Sequence, residues 1–332
     1  QPPSFEADAP LEHQTARELR SALDDTSTDV PFTLMLQTAS GATFAHSVGE
    51  SSAETLYESA STSKWVTAAI IMYYVEAGVV SLSDNPQDYI DGWPDSGPLS
   101  EIQLHQLLNF TSGLNEDPLC LNSGSTTFET CVRRIVTNNG DTVPLTNFDY
   151  GSSHLQIAGA MLVGALEQQS SWEEVFEAFS AATGLFKDGA YDLPSATNPR
   201  LAGGMHWTAS DYLGFLSAMY NETFLSSASL NTMNSDTIGS IDKLNSPAFN
   251  GTGEDWRYGY GCWIECHASA FDCEGRTRVS SPGAYGAYPF IDYEHNYFGV
   301  LARQGSLGTF PQGYQLIESV EAKLIAWSQA HQ

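Results

Sequence analysis

The segment from Ser59 to Val75 constrains the fold most, because it passes from small hydroxylated residues into a long apolar run that contains a lysine. The apolar run predicts a buried helix. Ser61 and Lys64 are three residues apart and therefore share one face of that helix, one turn from each other. Burial disfavours the ammonium form, so we expect the pKa of Lys64 to fall toward neutrality. A neutral amine beside a serine hydroxyl is a base beside a nucleophile.

A purely structural interpretation of the same segment is also possible. Lys64 could extend its ammonium group to solvent while Ser61 caps the helix. Ser-x-x-Lys arises often by chance, so the rest of the chain must supply the partners of a catalytic pair. The chain has only four lysines, and one at the head of an apolar helix favours the catalytic interpretation.

Composition limits the class of protein and its partners. The 332 residues are 42% hydrophobic, which allows a sizeable core in one large or two smaller domains. The net charge of −27 repels phosphate groups, so we expect neither nucleic acid nor an anionic membrane as a partner. No apolar run has the length of a membrane span.

The five cysteines predict two short-range disulfides and one buried thiol. Cys120 and Cys131 bracket a polar loop, Cys266 and Cys273 bracket a hairpin tip, and Cys262 remains as the thiol. No cysteine or histidine pattern has the spacing of a zinc site, so we expect no metal and no other cofactor.

Several features favour secretion. Disulfides require an oxidising compartment, and a chain that begins with Gln1 rather than Met suggests a removed leader. Sequons at Asn109, Asn221 and Asn250 are predicted glycosylation sites, although three sequons are about what chance gives in this composition.

Hydrophobic periodicity predicts an α+β fold made of an antiparallel sheet flanked by helices, with a mostly helical domain inserted. Residues 1–60 and 255–332 would form the discontinuous α/β domain, residues 61–254 the helical domain, and the active site would lie between them. Residues 1–10 are predicted to pack as a tail. The predicted helices cover residues 11–25, 99–108, 155–168, 172–182, 209–220 and 316–327, besides the one at Ser61. The predicted strands cover residues 32–38, 42–48, 258–265, 277–285 and 296–303. Ser153 and Gln156 fit a capping box.

A tyrosine at a helix start offers a second catalytic group. Tyr150 precedes an apolar helix, where the helix dipole and a lysine would favour its phenolate. It could take the proton of Ser61 and later protonate a leaving group, or it could be an ordinary core tyrosine. Neither Gly-x-Ser-x-Gly nor His-Glu-x-x-His occurs. We interpret His154 and His206 as structural or surface residues.

Five segments follow one another in a specific order. They are Ser61-Thr62-Ser63-Lys64, Leu107-Leu108-Asn109-Phe110-Thr111-Ser112-Gly113-Leu114, Tyr150-Gly151-Ser152 before an apolar helix with Ala158-Gly159, Ala202-Gly203-Gly204-Met205-His206-Trp207-Thr208-Ala209-Ser210-Asp211-Tyr212 and Tyr258-Gly259-Tyr260-Gly261. In this order they resemble the serine β-lactamase and penicillin-binding-protein family over nearly the whole chain. The closest branch is that of class C β-lactamases, D-stereospecific peptidases and family VIII carboxylesterases.

The resemblance implies roles for matching positions. Ser61 would be the acylated nucleophile, Lys64 would hold or relay its proton, and Tyr150 would act as general base and acid. The third motif of the family would be Ser281-Pro282-Gly283-Ala284. The backbone N–H groups of Ser61 and Ala284 would then form an oxyanion hole.

Two departures from the family pattern leave the substrate open. Ser152 stands where the family has an asparagine that binds substrate, and a hydroxyl cannot present a donor and an acceptor as an amide does. Ser281 stands where the family has a cation or imidazole that binds a substrate carboxylate. Arg276, Arg278 or Arg303 could replace it, although solvated strand arginines are the simpler interpretation. Further substrate-binding candidates are Gly283, Tyr285 and Trp207, the last two with a packing role as the alternative.

The sequence therefore predicts a secreted, monomeric serine hydrolase that forms an acyl-enzyme on Ser61. We expect it to cleave a carboxylic ester or small amide, with weak β-lactamase activity at best, since the cation of the third motif is missing. The alternatives are a D-amino-acid amidase or peptidase, an acyl transferase, and a catalytically silent protein that binds peptide or carbohydrate.

Overall fold

The computed structural model describes residues 10–273 and 277–332. Of the predicted N-terminal tail, residues 1–9 lie outside these ranges, and so does Arg276. Within them the longer helices and strands agree with the sequence-based prediction, whereas several short elements differ.

The helices in the described ranges are α1 (Leu11–Asp24), α2 (Ser63–Glu76), α3 (Leu104–Leu108), α4 (Phe128–Asn138), α5 (Ser153–Ala165), α6 (Trp172–Thr183), α7 (Ala209–Tyr220), α8 (Ser227–Met233), α9 (Pro247–Thr252) and α10 (Phe310–Ala330). The strands are β1 (Phe32–Thr38), β2 (Thr43–Val48), β3 (Tyr57–Glu58), β4 (Phe148–Asp149), β5 (Ala190–Tyr191), β6 (Pro194–Ser195), β7 (Asn198–Pro199), β8 (Met205–Trp207), β9 (Lys243–Asn245), β10 (Arg257–Tyr258), β11 (Trp263–Ile264), β12 (Arg278–Ser280), β13 (Tyr288–Asp292) and β14 (Tyr297–Arg303). Short 3₁₀ turns cover Ala60–Thr62, Pro86–Asp88, Pro98–Glu101 and Leu119–Asn122.

Both ends of the chain build one seven-stranded sheet in the order β10-β11-β12-β13-β14-β1-β2. All of its neighbouring strands are antiparallel, and β14 pairs with β1 from Arg303 opposite Phe32 to Tyr297 opposite Thr38. The predicted antiparallel sheet from the two chain ends is confirmed.

Helices cover both faces of this sheet. Phe44 of β2 lies opposite Leu36 and packs edge-on against Trp327 of α10. Phe298 of β14 lies opposite Gln37, the next position along β1, and therefore faces the other way, where it packs against Tyr220 of α7. The two-sided cover explains why every residue of β14 is buried.

The position of α7 differs from the predicted domain boundary. Residues 209–220 were assigned to the helical domain, yet α7 packs on β1, β13 and β14 of the main sheet. A three-stranded sheet, β3-β8-β5, also joins the segment before Ser61 to residues 190–207. The chain therefore returns to the sheet layer well before residue 255.

Helix α2 lies at the centre of the molecule. All its residues from Ser63 to Met72 are buried, and it packs against α5 and α8. Burial on every side explains the continuous apolar run, which has no polar stripe. The prediction of a buried helix after Ser61 is confirmed.

Glycine and proline residues explain two differences among the strands. The predicted strand 258–265 is a tight hairpin of β10 and β11, which turns through Gly261 at φ +72°. A Cβ at Gly261 would lie 2.4 Å from the Lys64 carbonyl oxygen, so the turn fits closely against α2. The predicted strand 277–285 ends at Ser280, two residues before Pro282, which cannot donate to a ladder.

The predicted capping box on α5 is wrong. Ser152 is the N-cap residue, and Ser153 Oγ donates to the Glu116 carbonyl oxygen instead of capping. Gln156 Nε2 donates to the carbonyl oxygen of Pro199. Both side chains thus bind neighbouring loops, and local spacing alone could not reveal that competition.

The two predicted disulfides are present, between Cys120 and Cys131 and between Cys266 and Cys273. Cys262 is buried, as predicted, and its thiol donates to the Met233 carbonyl oxygen at 3.5 Å. Among the described residues, no helix combines the length and apolar character that crossing a membrane requires.

One predicted glycosylation site conflicts with the structure. The side chain of Asn109 is buried beneath the turn after α3, where Thr111 Oγ1 lies 2.6 Å from its amide group. A glycan cannot occupy a position without solvent access, so this prediction is wrong. Asn221 and Asn250 are exposed, and their glycosylation stays a prediction.

Candidate active site

Ser61 lies in a tight turn directly before α2. The turn Ala60–Thr62 is a 3₁₀ helix, and Ala60 has a φ of +49°, which is unfavourable for a residue with a Cβ. Strained backbone of this kind persists where surrounding contacts hold it, and here it presents a partly exposed Ser61 at the head of a buried helix.

Lys64 lies one turn further along and faces Ser61, as predicted. Its Nζ is 2.8 Å from Ser61 Oγ and donates to the Ala202 carbonyl oxygen at 2.9 Å. The residue is 3% exposed, so the ammonium does not reach solvent. Burial lowers the pKa of Lys64 well below its usual value; the charge of Arg200 lowers it further, and that of Asp117 opposes the shift. The amine is therefore suited to accept a proton.

Tyr150 lies between β4 and α5 and borders the same site. Its ring stacks on Trp263 with centroids 5.1 Å apart, and Lys64 Nζ lies 4.5 Å from the ring centroid. Burial raises the pKa of Tyr150 to about 12, although hydrogen bonds to Ser61 and Trp263 and the charge of Arg200 oppose the shift.

The raised pKa of Tyr150 corrects the expected distribution of protons. The sequence suggested a phenolate favoured by a helix dipole and a lysine cation. In the structure burial outweighs those effects and keeps the phenol protonated, whereas the pKa of Lys64 is lowered. Lys64 is therefore the better base and Tyr150 the better acid.

The third wall of the site is the segment after β12. Ser281 is 2% exposed, and its Oγ donates to the main-chain carbonyl oxygen of Ser61 at 2.9 Å. A Cβ at Gly283 would lie 2.2 Å from the Ser59 carbonyl oxygen, so this wall touches the nucleophile turn directly. Ser281 thus holds the backbone of Ser61, which corrects its predicted role as a substrate-binding residue.

A pocket of about 390 Å³ opens above Ser61. Gly283 and Ala284 line it, as predicted, together with Tyr150. The amide of Ala284 donates to no acceptor in the part of the chain that the structure describes. The oxyanion hole formed by the Ser61 and Ala284 amides stays a prediction. The other lining residues are predominantly apolar, namely Pro247, Ala248, Asn250, Gly251, Trp263, Pro282, Gly308, Phe310 and Pro311.

Two predicted lining residues lie elsewhere. Trp207 is fully buried, and its indole nitrogen donates to Thr62 Oγ1 at 2.8 Å beneath the nucleophile turn. It supports the turn and cannot contact substrate. Tyr285 is partly exposed but does not border the pocket; its carbonyl oxygen accepts from the Gly305 amide.

The arginines proposed as replacements for the missing cation do not reach the pocket either. Arg278 is buried against Glu265, Glu318 and Glu321. Arg303 is 1% exposed and borders a different cavity. Neither side chain lines the pocket above Ser61.

Sequence reasoning missed Arg200. Its Nε and Nη2 donate to Ser152 Oγ at 3.0 and 2.8 Å, and its Nη1 donates to Asn122 Oδ1 at 2.7 Å. Ser152 is 1% exposed, so its hydroxyl is occupied by this arginine. The only hint in the sequence was the position of Arg200 directly before the Leu201-Ala202-Gly203-Gly204 turn.

A possible metal-binding group lies away from this site. His267, Glu318 and Glu321 are close enough together to share an ion. Both carboxylates already pair with Arg278, and His267 pairs with Glu254.

The two histidines considered in the sequence analysis have structural roles. His154 is buried between Ser112 and the Asp149 carbonyl oxygen, and His206 contacts Asp192.

Comparison with solved structures identifies proteins of the same fold. A protein from Bacteroides dorei DSM 17855 provisionally named a β-lactamase aligns with a TM-score of 0.78 and 22% identity, over 93% of this chain and 98% of that one. D-amino acid amidase from Ochrobactrum anthropi SV3 aligns with a TM-score of 0.73 and 18% identity, over 96% and 100%. EstCE1, a hydrolase with promiscuous acyltransferase activity, aligns with a TM-score of 0.70 and 15% identity, over 96% and 98%.

Identities this low establish a shared β-lactamase/transpeptidase-like fold and no more. Comparison with curated protein sequences gives no match. The model of the Beta-lactamase family, however, matches residues 34–319, which is most of the chain. With Ser61 and Tyr150 lining one pocket and Lys64 in contact with Ser61, the chain belongs to the Beta-lactamase family and is a serine hydrolase of that superfamily.

Proposed function

We propose that the protein is a secreted hydrolase that cleaves a carboxylic ester or a small amide through an acyl-enzyme on Ser61. The observation that carries the proposal is the 2.8 Å contact between Lys64 Nζ and Ser61 Oγ beside a largely apolar pocket. Burial lowers the pKa of this amine, which makes Lys64 the group suited to take the serine proton.

Acylation begins when Ser61 Oγ attacks the carbonyl carbon of the substrate. As the new C–O bond forms, the hydroxyl proton passes to Lys64 Nζ, and the carbonyl oxygen becomes an oxyanion. The amides of Ser61 and Ala284 would stabilise that charge, and one such donor typically contributes a factor of about 10²–10³ in rate. When the oxyanion collapses, Tyr150 protonates the departing alcohol or amine, and the proton on Lys64 restores the phenol.

Hydrolysis of the acyl-enzyme uses the same groups. A water molecule attacks the ester carbonyl, and Lys64 takes its proton. When the tetrahedral adduct collapses, the bond to Ser61 Oγ breaks, the proton on Lys64 passes to that oxygen, and the acid is released. Acyl transfer would follow the same course with an alcohol or amine in place of water. The fold neighbour EstCE1 is described as having promiscuous acyltransferase activity, so this alternative is retained.

The lining of the pocket supports small apolar esters or amides over penicillins. Among the described lining residues none carries a positive charge, and the Ser281 hydroxyl is bound to the Ser61 backbone. The carboxylate of an anionic β-lactam would lack the cation or imidazole that the third motif supplies elsewhere in the family. The pocket surface instead consists largely of Trp263, Phe310 and proline rings.

Amide substrates form the second candidate class. The fold neighbour from Ochrobactrum anthropi is a D-amino acid amidase, and a protonated Tyr150 can supply the proton that an amine leaving group needs. A catalytically silent binding protein is the third alternative, against which the Ser61–Lys64 contact argues.

Secretion and a monomeric state remain part of the proposal. The Cys120–Cys131 and Cys266–Cys273 disulfides support an oxidising compartment. A net charge of −27 supports a protein that stays soluble and does not bind polyanions.

A substrate panel read by intact-protein mass tests the function. Short-chain and aromatic esters, D-amino-acid amides and penicillins are each mixed with the enzyme, quenched within seconds and weighed. We expect acyl adducts and turnover with esters or small amides, and slow turnover with penicillins. Rapid penicillin turnover without ester turnover would contradict the ester proposal, and no adduct with any compound would favour the binding protein.

A further inference from the structure

The side of the site that faces Ser152 carries a cation with no acidic partner. Arg200 forms no ion pair with any carboxylate among residues 10–273 and 277–332, although the chain has 40 acidic residues and only 13 basic ones. Its acceptors are neutral, a serine hydroxyl and an asparagine carbonyl oxygen. Other arginines of the described ranges, Arg17 and Arg133 among them, also lack an ion pair, but Arg200 lies beside the nucleophile turn.

One contact and two further observations place this guanidinium near the reacting groups. It binds Ser152, two residues after Tyr150. Arg200 is two residues before Ala202, whose carbonyl oxygen accepts from Lys64. A Cβ built on Gly203 would lie 3.7 Å from Arg200 Nε and 3.7 Å from the Ala60 carbonyl carbon, so little more than a methyl group separates the arginine from the nucleophile turn.

The remaining hydrogens of the guanidinium suit a carboxylate. Of its five N–H groups, one on Nε and one on Nη2 go to Ser152, and one on Nη1 goes to Asn122. One N–H therefore remains on each terminal nitrogen, and such N–H groups can donate to the oxygens of a carboxylate. The residue is partly exposed and lies outside the lining of the pocket above Ser61, so a ligand that extends beyond that pocket can reach it.

The acidic residue that contacts the backbone of Ser152 is already in use. Asp117 accepts hydrogen bonds from the backbone amides of Ser152 and Ser153 at the start of α5. Its charge is directed to that helix start, where a carboxylate stabilises unsatisfied amides. Asp117 thus leaves the guanidinium of Arg200 available.

We propose that Arg200 binds a carboxylate on the substrate, so that the natural substrate is an ester or amide with an apolar part and an anionic part. This inference rests on the proposed hydrolysis at Ser61. The apolar part would occupy the pocket between Trp263 and Phe310, and the carboxylate would lie on the other side of the scissile bond, toward Ser152. Arg200 would then replace the cation that Ser281 lacks, from a different wall of the site.

The test compares matched substrates that differ only in charge. The 4-nitrophenyl monoester of glutaric acid is paired with the ester that has a carboxamide in place of the free carboxylate, and a second pair carries the same change in the leaving group. We expect wild-type enzyme to prefer the carboxylate member of at least one pair. In Arg200→Gln that ratio of kcat/KM values should fall about tenfold to a hundredfold, since a charge-assisted bidentate contact is lost.

Two control variants separate binding from general electrostatics. Arg200→Lys keeps the positive charge but loses the paired N–H donors of the guanidinium, so it should keep part of the preference for the carboxylate substrate. Arg17→Gln removes the same charge from the exposed side of α1 and should leave the ratio unchanged. Equal losses on both members of a pair in Arg200→Gln, or a wild-type ratio near one for both pairs, would overturn the proposal.

A measurement on the wild-type enzyme covers the case in which Arg200→Gln does not fold. Glutarate should slow the labelling of Ser61 by a neutral phosphonate, and neutral glutaramide at the same concentration and ionic strength should not. No protection by glutarate would overturn the carboxylate site. Labelling by the phosphonate itself reports the proposed acylation at Ser61, so the two ideas can fail separately.

Discussion

Lys64 Nζ lies 4.5 Å from the centroid of the Tyr150 ring, and the pKa values of these two neighbours move in opposite directions. Burial lowers the pKa of the amine and raises that of the phenol. The lowered pKa suits Lys64 to accept a proton, and the raised pKa keeps the proton on Tyr150. Ser61 contacts both groups, so a base and an acid meet at one hydroxyl.

A plot of kcat/KM against pH should show a single rise and no fall up to about pH 10. Activity requires neutral Lys64, so kcat/KM for a neutral ester should rise as pH passes the lowered pKa of that amine. Activity should then stay level to about pH 10, because Tyr150 loses its proton only near a pKa of about 12. Stopped assays over pH 5–10 test this, and a decline between pH 7.5 and 9.5 would show that a protonated lysine is needed.

Replacing Tyr150 with phenylalanine should separate chemistry from packing. The ring would still stack on Trp263, but the proton donor would be gone, so we expect kcat to fall about 10²–10⁴-fold. Tyr258→Phe removes a hydroxyl from the same aromatic cluster and should change kcat by only a few-fold. Near-normal turnover by Tyr150→Phe would exclude the phenol from the mechanism.

Lys64 should also make stability depend on pH. Its pKa is lower in the folded protein than the usual value near 10.4, so the unfolded chain binds one more proton between those two values. The free energy of unfolding of wild type should therefore increase with pH relative to Lys64→Met, by up to about 1.4 kcal/mol per pH unit in that window. Lys323→Met, at an exposed position of α10, is the control. Urea denaturation between pH 7 and 10 measures this free energy. If it changes with pH equally in wild type and Lys64→Met, the lowered pKa of Lys64 is refuted.

Close approach at Gly283 should make the third wall sensitive to one methyl group. A Cβ there would meet the Ser59 carbonyl oxygen at 2.2 Å, so Gly283→Ala must displace either the wall or the nucleophile turn. We expect loss of activity together with a lower melting temperature. Gly214→Ala adds the same methyl group to α7, where no atom lies within 4 Å, and should be neutral or stabilising by up to about 1 kcal/mol. Equal behaviour of the two variants would show that the wall is not tightly packed.

Sequence alone could identify the centre of the site because those signals are local. Ser61 and Lys64 are one helical turn apart, and Tyr150 precedes a strongly apolar helix. The sheet was predictable for a similar reason, since the strands now defined as β1, β2 and β14 each carry their own apolar pattern. Local pattern could not show that the segment 258–265 turns back on itself, because that depends on how closely Gly261 approaches α2.

The outer part of the site depends on contacts between distant segments. Ser152, Ser281 and Trp207 match family positions, yet Arg200, the Ser61 backbone and Thr62 respectively occupy their polar groups. These hydrogen bonds arise from tertiary packing, and no periodic pattern in the sequence predicts them. The same holds for Arg200, whose importance appears only when the segment around it lies beside α5.

Covalent labelling tests whether Ser61 is the nucleophile. Wild-type protein and Ser61→Ala are treated with a neutral alkyl fluorophosphonate, weighed intact and then digested to locate the adduct. We expect one adduct per wild-type chain on the peptide that contains Ser61, and none on Ser61→Ala. Labelling of Ser61→Ala to the wild-type level, or an adduct on another residue, would contradict that role of Ser61.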